Sequence, residues 1–288
     1  MPKLAANSTS AVRAVKRKPK LGQNFLTDHS AAQRIVDALG DISQRIVIEI
    51  GPGRGMLTDL LVRRAKKVIG IELDHILAAQ MRMKYATLNN VEILESGFVT
   101  VEWQSMVGRR PGPLHDLRPT QAETVDVVGN LPYYVTSDIV LRILQEHENI
   151  GRAVVMVQRE VADRITAEPG SRDYGLLSAT VQLFARAEKL FTLPPGAFNP
   201  PPQVHSSVVR LTMAPRTAEL QVDPEAFQEL LKVAFAQKRK TLANNLKVRY
   251  DDKVVTGALK AAAVRSDARA EALPLEKLAA VFRGLRQA

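Results

Sequence analysis

Three glycines and one acidic residue have the spacing of a site for a nucleoside-containing ligand. Gly51, Gly53 and Gly55 follow a short apolar run and precede a helix-like segment. Such a turn lets the backbone approach a ligand beside the positive N-terminus of a helix. Glu72 ends the next apolar run, where a carboxylate can accept hydrogen bonds from both ribose hydroxyls. Each feature alone also fits an ordinary structural turn or strand end, but together they favour a nucleoside ligand.

The glycine spacing argues against a dinucleotide oxidoreductase. The dinucleotide fingerprint G-x-G-x-x-G requires a glycine five residues after the first, and that position is Met56 when the count starts at Gly51. Pro52 also reduces the flexibility of the turn. The pattern E-x-G-x-G-x-G over 49–55 resembles instead the first motif of S-adenosylmethionine-dependent methyltransferases.

A second segment has residues suited to hold a flat base. Residues 130–134 read Asn-Leu-Pro-Tyr-Tyr and follow another apolar run, at the end of a predicted strand. The carboxyl ends of parallel strands form the crevice where such folds bind ligands. The side-chain oxygen of Asn130 and the carbonyl of Leu131 can accept hydrogen bonds from an exocyclic amine, and Tyr133 can stack on the ring. The alternative is an ordinary strand-to-helix turn with a tyrosine in the core.

Both segments need a sheet to position them. Strands are predicted at 45–50, 66–72, 91–94, 125–130 and 153–158, with two further strands near 187–193 and 206–212. Helices are predicted at 28–39, 56–65, 74–85 and 137–147. Alternating strands and helices indicate an α/β fold whose parallel sheet is covered by helices on both faces.

The pattern becomes helical after about Met213. Helices are predicted over 224–236, with Asp223 as the N-cap, and over 276–286. We therefore expect a basic, disordered tail at 1–20, an α/β domain at 21–214 and a small helical domain at 215–288.

Positive charge is in excess, with 40 Lys and Arg against 30 Asp and Glu, a formal net charge of +10. This favours nucleic acid as a partner, with an acidic membrane surface as the second interpretation. Six of the positive charges lie in residues 1–20, which contain no acidic residue. Three interpretations of this tail are open: a solvated segment, an arm that binds phosphates and, least favoured, a mitochondrial presequence. A second cluster, Lys238, Arg239 and Lys240, lies in a stretch predicted to be helical, so several of its side chains could share one face.

Composition excludes several other classes of protein. With 45% hydrophobic residues the chain can bury a core, so it is not disordered throughout. The absence of cysteine removes disulfides and thiol chemistry and fits a reducing compartment. No apolar run is long enough for a transmembrane helix, and no membrane partner is expected. The five histidines have no metal-ligand spacing, so no metal site is predicted. His205 beside Ser206 lacks the G-x-S-x-G pattern of a hydrolase nucleophile.

Several motifs, in the expected order, resemble one family. The NLPY form of 130–133 looks like the rRNA adenine dimethylases, a branch of the N/D-P-P-Y/F type of N6-adenine methyltransferases. The segments KLGQNFL at 20–26, LPPGAFNPPPQVHSSVVRL at 193–211 and FAQKRKTLANNL at 235–246 also resemble motifs of that family. The resemblance spans residues 20 to about 285 and is closest to the bacterial small-subunit branch. The large-subunit resistance methylases share the first motifs but fit the C-terminal half less well.

This resemblance implies a Rossmann-like S-adenosylmethionine-dependent methyltransferase domain at 21–214 and an RNA-binding helical domain at 215–288. The implied cofactor is S-adenosylmethionine, at Asn24, Leu26, Gly51, Gly53, Glu72, Gly97 and Asn130. The implied target-base site consists of Asn130 and the Leu131 carbonyl on the amine, with Tyr133 and Phe198 on the two faces of the flipped base. Lys238, Arg239 and Lys240 would contact RNA.

The implied reaction is the double methylation of two adjacent adenosines in a hairpin near the 3′ end of 16S rRNA, during maturation of the small ribosomal subunit. We expect a cytoplasmic monomer. One departure supports an alternative function. Gly97 occupies the position where the family usually has an aspartate for the cofactor adenine, so a non-catalytic RNA-binding or ribosome-assembly factor on the same fold is the second hypothesis. Two alternatives stay open: Glu95 or Ser96 substitutes for the aspartate in a shifted loop, or the register differs by one or two residues.

Overall fold

The computed structural model describes residues 23–102 and 124–286. The predicted tail at 1–20 and most of the predicted loop at 104–124 lie outside the described residues. The described strands are β1 Phe25–Leu26, β2 Ile46–Ile50, β3 Lys67–Glu72, β4 Val91–Glu95, β5 Val125–Asn130, β6 Ile150–Gln158, β7 Ala185–Leu193, β8 Phe198–Asn199 and β9 Ser206–Met213.

Seven strands form one sheet in the order β4-β3-β2-β5-β6-β9-β7. Strands β2 to β6 run parallel to one another, and β9 is antiparallel to both β6 and β7. The order reverses between β2 and β5, so a crevice opens at their carboxyl ends. A separate antiparallel pair joins β1 to β8, with Leu26 opposite Phe198. The α/β class with a mostly parallel sheet, predicted from the sequence, is confirmed.

The central strands are buried on both faces. All but the first residue of β2 and β3 and all but the last of β5 are buried, as expected for parallel strands covered by helices. Alternate residues face opposite layers: Ile48 lies in the larger apolar cluster and Val47 in the smaller one. The period of two thus builds a core on each side of the sheet.

The helices are α1 His29–Asp37, α2 Thr58–Leu61, α3 His75–Lys84, α4 Thr136–Gln145, α5 Arg159–Ile165, α6 Leu176–Phe184, α7 Thr217–Leu220, α8 Pro224–Ala234, α9 Leu242–Leu246, α10 Asp252–Ala261 and α11 Leu275–Arg286. Asp28 caps α1 by accepting from the Ala31 amide, as its sequence position predicts. The helix predicted over 56–65 is shorter than expected, because residues 53–57 form turns.

From Thr217 to the end of the described chain, every regular element is a helix. These helices pack on the α/β part through one continuous apolar cluster. Phe227 and Phe282 make an edge-to-face contact within the helical part, and Tyr174 of the α/β part makes another with Phe235. The secondary structure thus changes where the sequence indicates. The division into two domains after residue 214 stays a prediction.

Candidate active site

A cavity of about 380 Å³ lies at the carboxyl ends of the central strands. That volume is in the range of small-molecule and cofactor sites. Its walls come from the N-terminal segment, the glycine turn, the ends of β3 and β4, and the segment after β5, and include the predicted residues Asn24, Leu26, Gly51, Gly53, Glu72, Gly97, Asn130, Leu131 and Tyr133. The fold therefore brings into one space the two segments singled out by their chemistry.

The glycine turn adopts a conformation that side chains disfavour. Gly51, Gly53 and Gly55 have φ values of 66°, 58° and 87°, all in the left-handed region. A Cβ atom on Gly53 would lie 3.1 Å from the ring of Phe25. The turn therefore needs glycine both for its backbone angles and for the close approach of a neighbouring ring.

Glu72 holds this turn through a hydrogen bond and can accept further hydrogen bonds. One carboxylate oxygen accepts from the Gly53 amide at 3.0 Å, and the other accepts from the Asp74 amide at 3.0 Å. The side chain is buried, yet it lines the cavity. Because a carboxylate has about four lone-pair positions, both oxygens can still accept from ribose hydroxyls. The residues present therefore fit an adenosine-containing cofactor.

Glu49 is a site residue that the sequence reading passed over. It lines the cavity, is 1% exposed and accepts a hydrogen bond from the Thr58 hydroxyl at 2.6 Å. Burial raises the pKa of its carboxyl to about 7. The sequence feature that could have identified Glu49 is a single acidic residue within the apolar strand predicted at 45–50. Such a buried carboxyl suits a positively charged ligand group.

Asn130 and Leu131 present acceptors to the cavity. The Asn130 side-chain nitrogen donates to the main-chain carbonyl of Asn24 at 2.8 Å, and no donor to the Asn130 side-chain oxygen is found among the described residues. The Leu131 amide donates to the Met156 carbonyl at 3.0 Å and fixes the start of the turn. Within the described residues, no hydrogen bond to the Leu131 carbonyl is found.

Tyr133 is tethered by its hydroxyl, which lies 2.7 Å from the hydroxyl oxygen of the fully buried Ser206. Burial raises the pKa of the Tyr133 phenol, so the hydroxyl stays protonated. Phe198 does not lie beside it on the cavity wall. Its side chain is 3% exposed and packs in the smaller apolar cluster, in the strand paired with Leu26. The role of Phe198 on the second face of a base stays a prediction.

Gly97 lies on the cavity wall next to Glu72, whose carbonyl accepts from the Ser96 amide at 3.0 Å. A Cβ atom on Gly97 would lie 3.2 Å from the Thr100 hydroxyl oxygen and 3.8 Å from a methyl group of Leu73. Because the nearest atom ends a small side chain, the position can accept a larger residue after a small adjustment. An aspartate at position 97, where the family usually has one, would thus fit sterically.

The predicted basic cluster is exposed but not helical, so that part of the prediction is wrong. Lys238, Arg239 and Lys240 lie in the turn between α8 and α9. The helix does not continue through them because Thr241 caps a new helix, its hydroxyl accepting from the Asn244 amide at 3.2 Å. The Lys238 ammonium donates to the Arg172 carbonyl at 2.7 Å and joins this turn to the α/β part.

Two negative findings apply to the described residues alone. Across 23–102 and 124–286, no group of three or more His, Cys, Asp or Glu side chains is arranged to hold a metal ion. In the same ranges, no helix has the length and apolar character needed to cross a membrane.

The strand order, and the cavity beside a glycine turn held by Glu72, are those of Rossmann-like methyltransferases with a nucleoside-containing cofactor. The ribosomal RNA adenine dimethylase family model matches residues 14–287. Ribosomal RNA small subunit methyltransferase A of Koribacter versatilis is 57% identical over all of both chains. The protein of that name from Acidobacterium capsulatum is 52% identical over 94% of this chain and 92% of its own.

Solved structures show the same fold. The crystal structure of the 23S rRNA methyltransferase ErmE covers 92% of this chain and 100% of its own, with a TM-score of 0.67 and 27% identity. A dimethyladenosine transferase from Plasmodium falciparum covers 91% and 98%, with a TM-score of 0.75 and 24% identity. This chain belongs to the ribosomal RNA adenine dimethylase family, and its methyl donor is S-adenosylmethionine.

Proposed function

We propose that this protein dimethylates the N6 amines of two adjacent adenosines in a hairpin near the 3′ end of 16S rRNA. The observation that carries the proposal is the cavity shared by the Glu72 carboxylate and the Asn130 side-chain oxygen, two acceptors that can bind a cofactor ribose and a base amine. The relatives named for the small-subunit rRNA support this substrate over 23S rRNA. We further expect a monomer that works in the cytoplasm.

The donor supplies an electrophilic sulfonium methyl group, so this chain needs no strong base to start the reaction. The Asn130 oxygen and the Leu131 carbonyl accept from the adenine amine, whose lone pair is otherwise delocalised into the ring. These hydrogen bonds make the amine nitrogen more nucleophilic and orient it toward the methyl carbon. The amine loses its proton after the methyl group has been transferred. Positioning and fixed dipoles then account for most of the acceleration.

The other residues hold the reactants in place. The Tyr133 ring, fixed through Ser206, offers a flat face for the flipped base. The turned glycine backbone and Glu72 orient the cofactor, and the buried Glu49 carboxyl favours its positive charge. A base held by one ring and two acceptors has little freedom to move away from the donor. This arrangement lowers the entropic part of the barrier.

We assign the basic turn 238–240 to the rRNA backbone. The three side chains are exposed on a turn that is tied to the α/β part at Arg172. Neutralising all three should lower the salt slope of RNA binding by about 2, because each phosphate contact contributes about 0.7 to 0.9. Filter binding over a range of salt concentrations measures the slope. An unchanged slope would return these residues to a solvated surface.

The second hypothesis, a non-catalytic assembly factor, is not favoured. Its main support was Gly97, whereas the acceptors of the cavity are intact and the similar curated relatives are named methyltransferases. The two functions make opposite predictions for label transfer. A non-catalytic factor would bind unmethylated small subunits and leave their adenines unlabelled.

The decisive experiment incubates the protein with labelled S-adenosylmethionine and unmethylated small ribosomal subunits, followed by nuclease digestion and chromatography of the nucleosides. We expect label in dimethyladenosine at two adjacent positions. Asn130→Ala should slow transfer by at least about 100-fold, because it removes an acceptor used in the transition state, and should leave RNA affinity nearly unchanged. Asn89→Ala, an exposed asparagine before β4, is the matched control. Binding without label would contradict the proposal.

A further inference from the structure

We infer that the main-chain carbonyl of Asn24 orients the side-chain amide of Asn130 and thereby specifies asparagine rather than aspartate at position 130. The contact is the 2.8 Å hydrogen bond from the Asn130 nitrogen to the Asn24 oxygen. The inference rests on the proposed function, in which the Asn130 oxygen accepts from the target amine. Asn24 acts through Asn130, so its carbonyl is a positioning group.

The amide needs such a partner because its two ends are nearly alike in shape. Rotation by roughly 180° about the last torsion exchanges the acceptor oxygen and the donor nitrogen. Only the oxygen can accept from an adenine amine, so the reverse orientation would oppose two donors. The Asn24 carbonyl can only accept a hydrogen bond, so it pairs with the side-chain nitrogen of Asn130 and not with the side-chain oxygen. The Asn24 carbonyl therefore turns the Asn130 oxygen toward the cavity before a base arrives.

The carbonyl can do this because its own segment, residues 23–27, is anchored at Phe25 and at Thr27. Thr27 donates to the Ala197 carbonyl through its amide at 2.9 Å and through its hydroxyl at 3.1 Å. Phe25 pairs with Asn199, and its ring lies close to Gly53 and 4.4 Å from the Arg54 guanidinium, measured to the centre of the ring. We call residues 23–27 the strap. It fixes a carbonyl from one end of the chain against the end of β5.

This geometry distinguishes asparagine from aspartate, although the wider N6-adenine methyltransferase motif admits either. An ionised aspartate has only acceptors. At position 130, one of its oxygens would face the Asn24 oxygen at the distance now occupied by a hydrogen bond. The resulting repulsion would turn the carboxylate away or displace the strap. A protonated aspartate, by contrast, has one donor and one carbonyl acceptor, as the amide has.

Protonation of the aspartate in Asn130→Asp should therefore restore the hydrogen bond to Asn24 that the substitution removes. Facing carbonyl oxygens disfavour the charged form of a carboxyl group and so raise its pKa. As the pH falls, Asn130→Asp gains the proton that can bond to Asn24 and presents its other oxygen to the base. Glu49 and Glu72 also line this cavity and face the same space. They are present in the wild type as well, so a ratio of rates at each pH removes their contribution.

The experiment measures single-turnover methylation by the full-length wild type and Asn130→Asp. At about pH 8.5 the variant should be slower by at least about 100-fold. The variant-to-wild-type ratio should rise by about tenfold as the pH falls to about 5.5. Asn89→Asp makes the same chemical change at an exposed turn by the opposite ends of the strands, and its ratio should stay flat. Equal rates at high pH, or a flat ratio for Asn130→Asp, would overturn the inference.

A second measurement needs neither a substrate nor the Asn130→Asp variant. In ¹⁵N spectra of the wild type, the Asn130 side-chain amide is assigned by its absence from Asn130→Ala. Its proton directed at Asn24 should exchange with solvent more slowly than those of the exposed Asn89 amide. Equally fast exchange would overturn the inference. Failure of the proposed function looks different, because the wild type would then transfer no methyl group while the protected amide remained.

Discussion

Two sides of the cavity are held by different kinds of contact: the proposed cofactor side, with the glycine turn and Glu72, and the proposed base side, with Asn130 and Tyr133. On the cofactor side, left-handed glycines are fastened by Glu72, only 19 residues from Gly53 in sequence. On the base side, Asn130 is held by a partner 106 residues away, and Tyr133 by one 73 residues away. The cofactor side is thus held by contacts that are closer in sequence, whereas the base side forms only when segments from 24 to 206 have come together. Substitutions should separate these two behaviours.

The largest effect is expected on the cofactor side, from Gly55→Ala. Gly55 has φ 87°, and its Cβ would lie 2.6 Å from the buried Tyr85 hydroxyl. Backbone strain of about 1–3 kcal/mol and overpacking of about 1–3 kcal/mol should together lower the free energy of unfolding. Urea denaturation measures the loss, and calorimetry should show impaired S-adenosylmethionine binding.

Gly170→Ala is the matched control for that substitution. Gly170 has φ 86°, and no atom of the described residues lies within 4 Å of the position of its Cβ. It therefore carries the backbone strain without the collision. If Gly170→Ala destabilises the protein as much as Gly55→Ala does, close packing behind the glycine turn contributes nothing.

The next effect concerns the buried carboxyl of the same side. Burial raises the pKa of Glu49 from 4.5 to about 7, so the folded protein holds this proton more tightly than the unfolded chain. The associated stability is complete below about pH 4.5 and is lost as the pH rises through 7, an effect of about 3 kcal/mol. Glu49→Gln cannot lose a proton. Its stability relative to the ligand-free wild type should therefore rise by that amount between about pH 4.5 and about pH 8.

Denaturation by urea at these two values of pH measures that difference. A difference that does not change with pH would show that the Glu49 carboxylate is not disfavoured by burial. Cofactor binding should behave in the opposite way, because a positively charged ligand favours the ionised carboxyl. Glu49→Gln should therefore weaken binding of S-adenosylmethionine at high pH more than at low pH.

The cofactor side also has room for improvement at Gly97. Gly97→Asp would supply the carboxylate that the family usually has there. The nearest atoms of the described residues to its Cβ are the Thr100 hydroxyl oxygen at 3.2 Å and a Leu73 methyl group at 3.8 Å. A charge-assisted hydrogen bond to the cofactor adenine should strengthen S-adenosylmethionine binding by about 1.5–3 kcal/mol. Isothermal titration calorimetry measures both affinities, and equal values would contradict the prediction.

The sequence predicted the local features of the molecule and missed the tethers between distant segments. The strand at 125–130 was predicted with the bounds that it has, because a valine-rich run leads directly into the Asn-Leu-Pro turn. The pairing of Asn24 with Asn130 and of Tyr133 with Ser206 depends on tertiary packing, which no spacing displays. For the same reason the sequence could not show that Phe198 lies in the core.

The smallest effect is expected on the base side, from Tyr133→Phe. The substitution keeps the ring that we propose faces the base and removes only the hydroxyl held 2.7 Å from Ser206. A lost hydrogen bond of about 0.5–1.5 kcal/mol should lower kcat/KM for rRNA by about 2- to 12-fold. If the tether is the cause, Ser206→Ala should produce a similar loss, and the double substitution should add little to either single one. Additive losses would mean that Tyr133 and Ser206 act independently. Unchanged S-adenosylmethionine affinity in all three variants would place the effect on the base side, because the glycine turn and Glu72 are held without these hydroxyls.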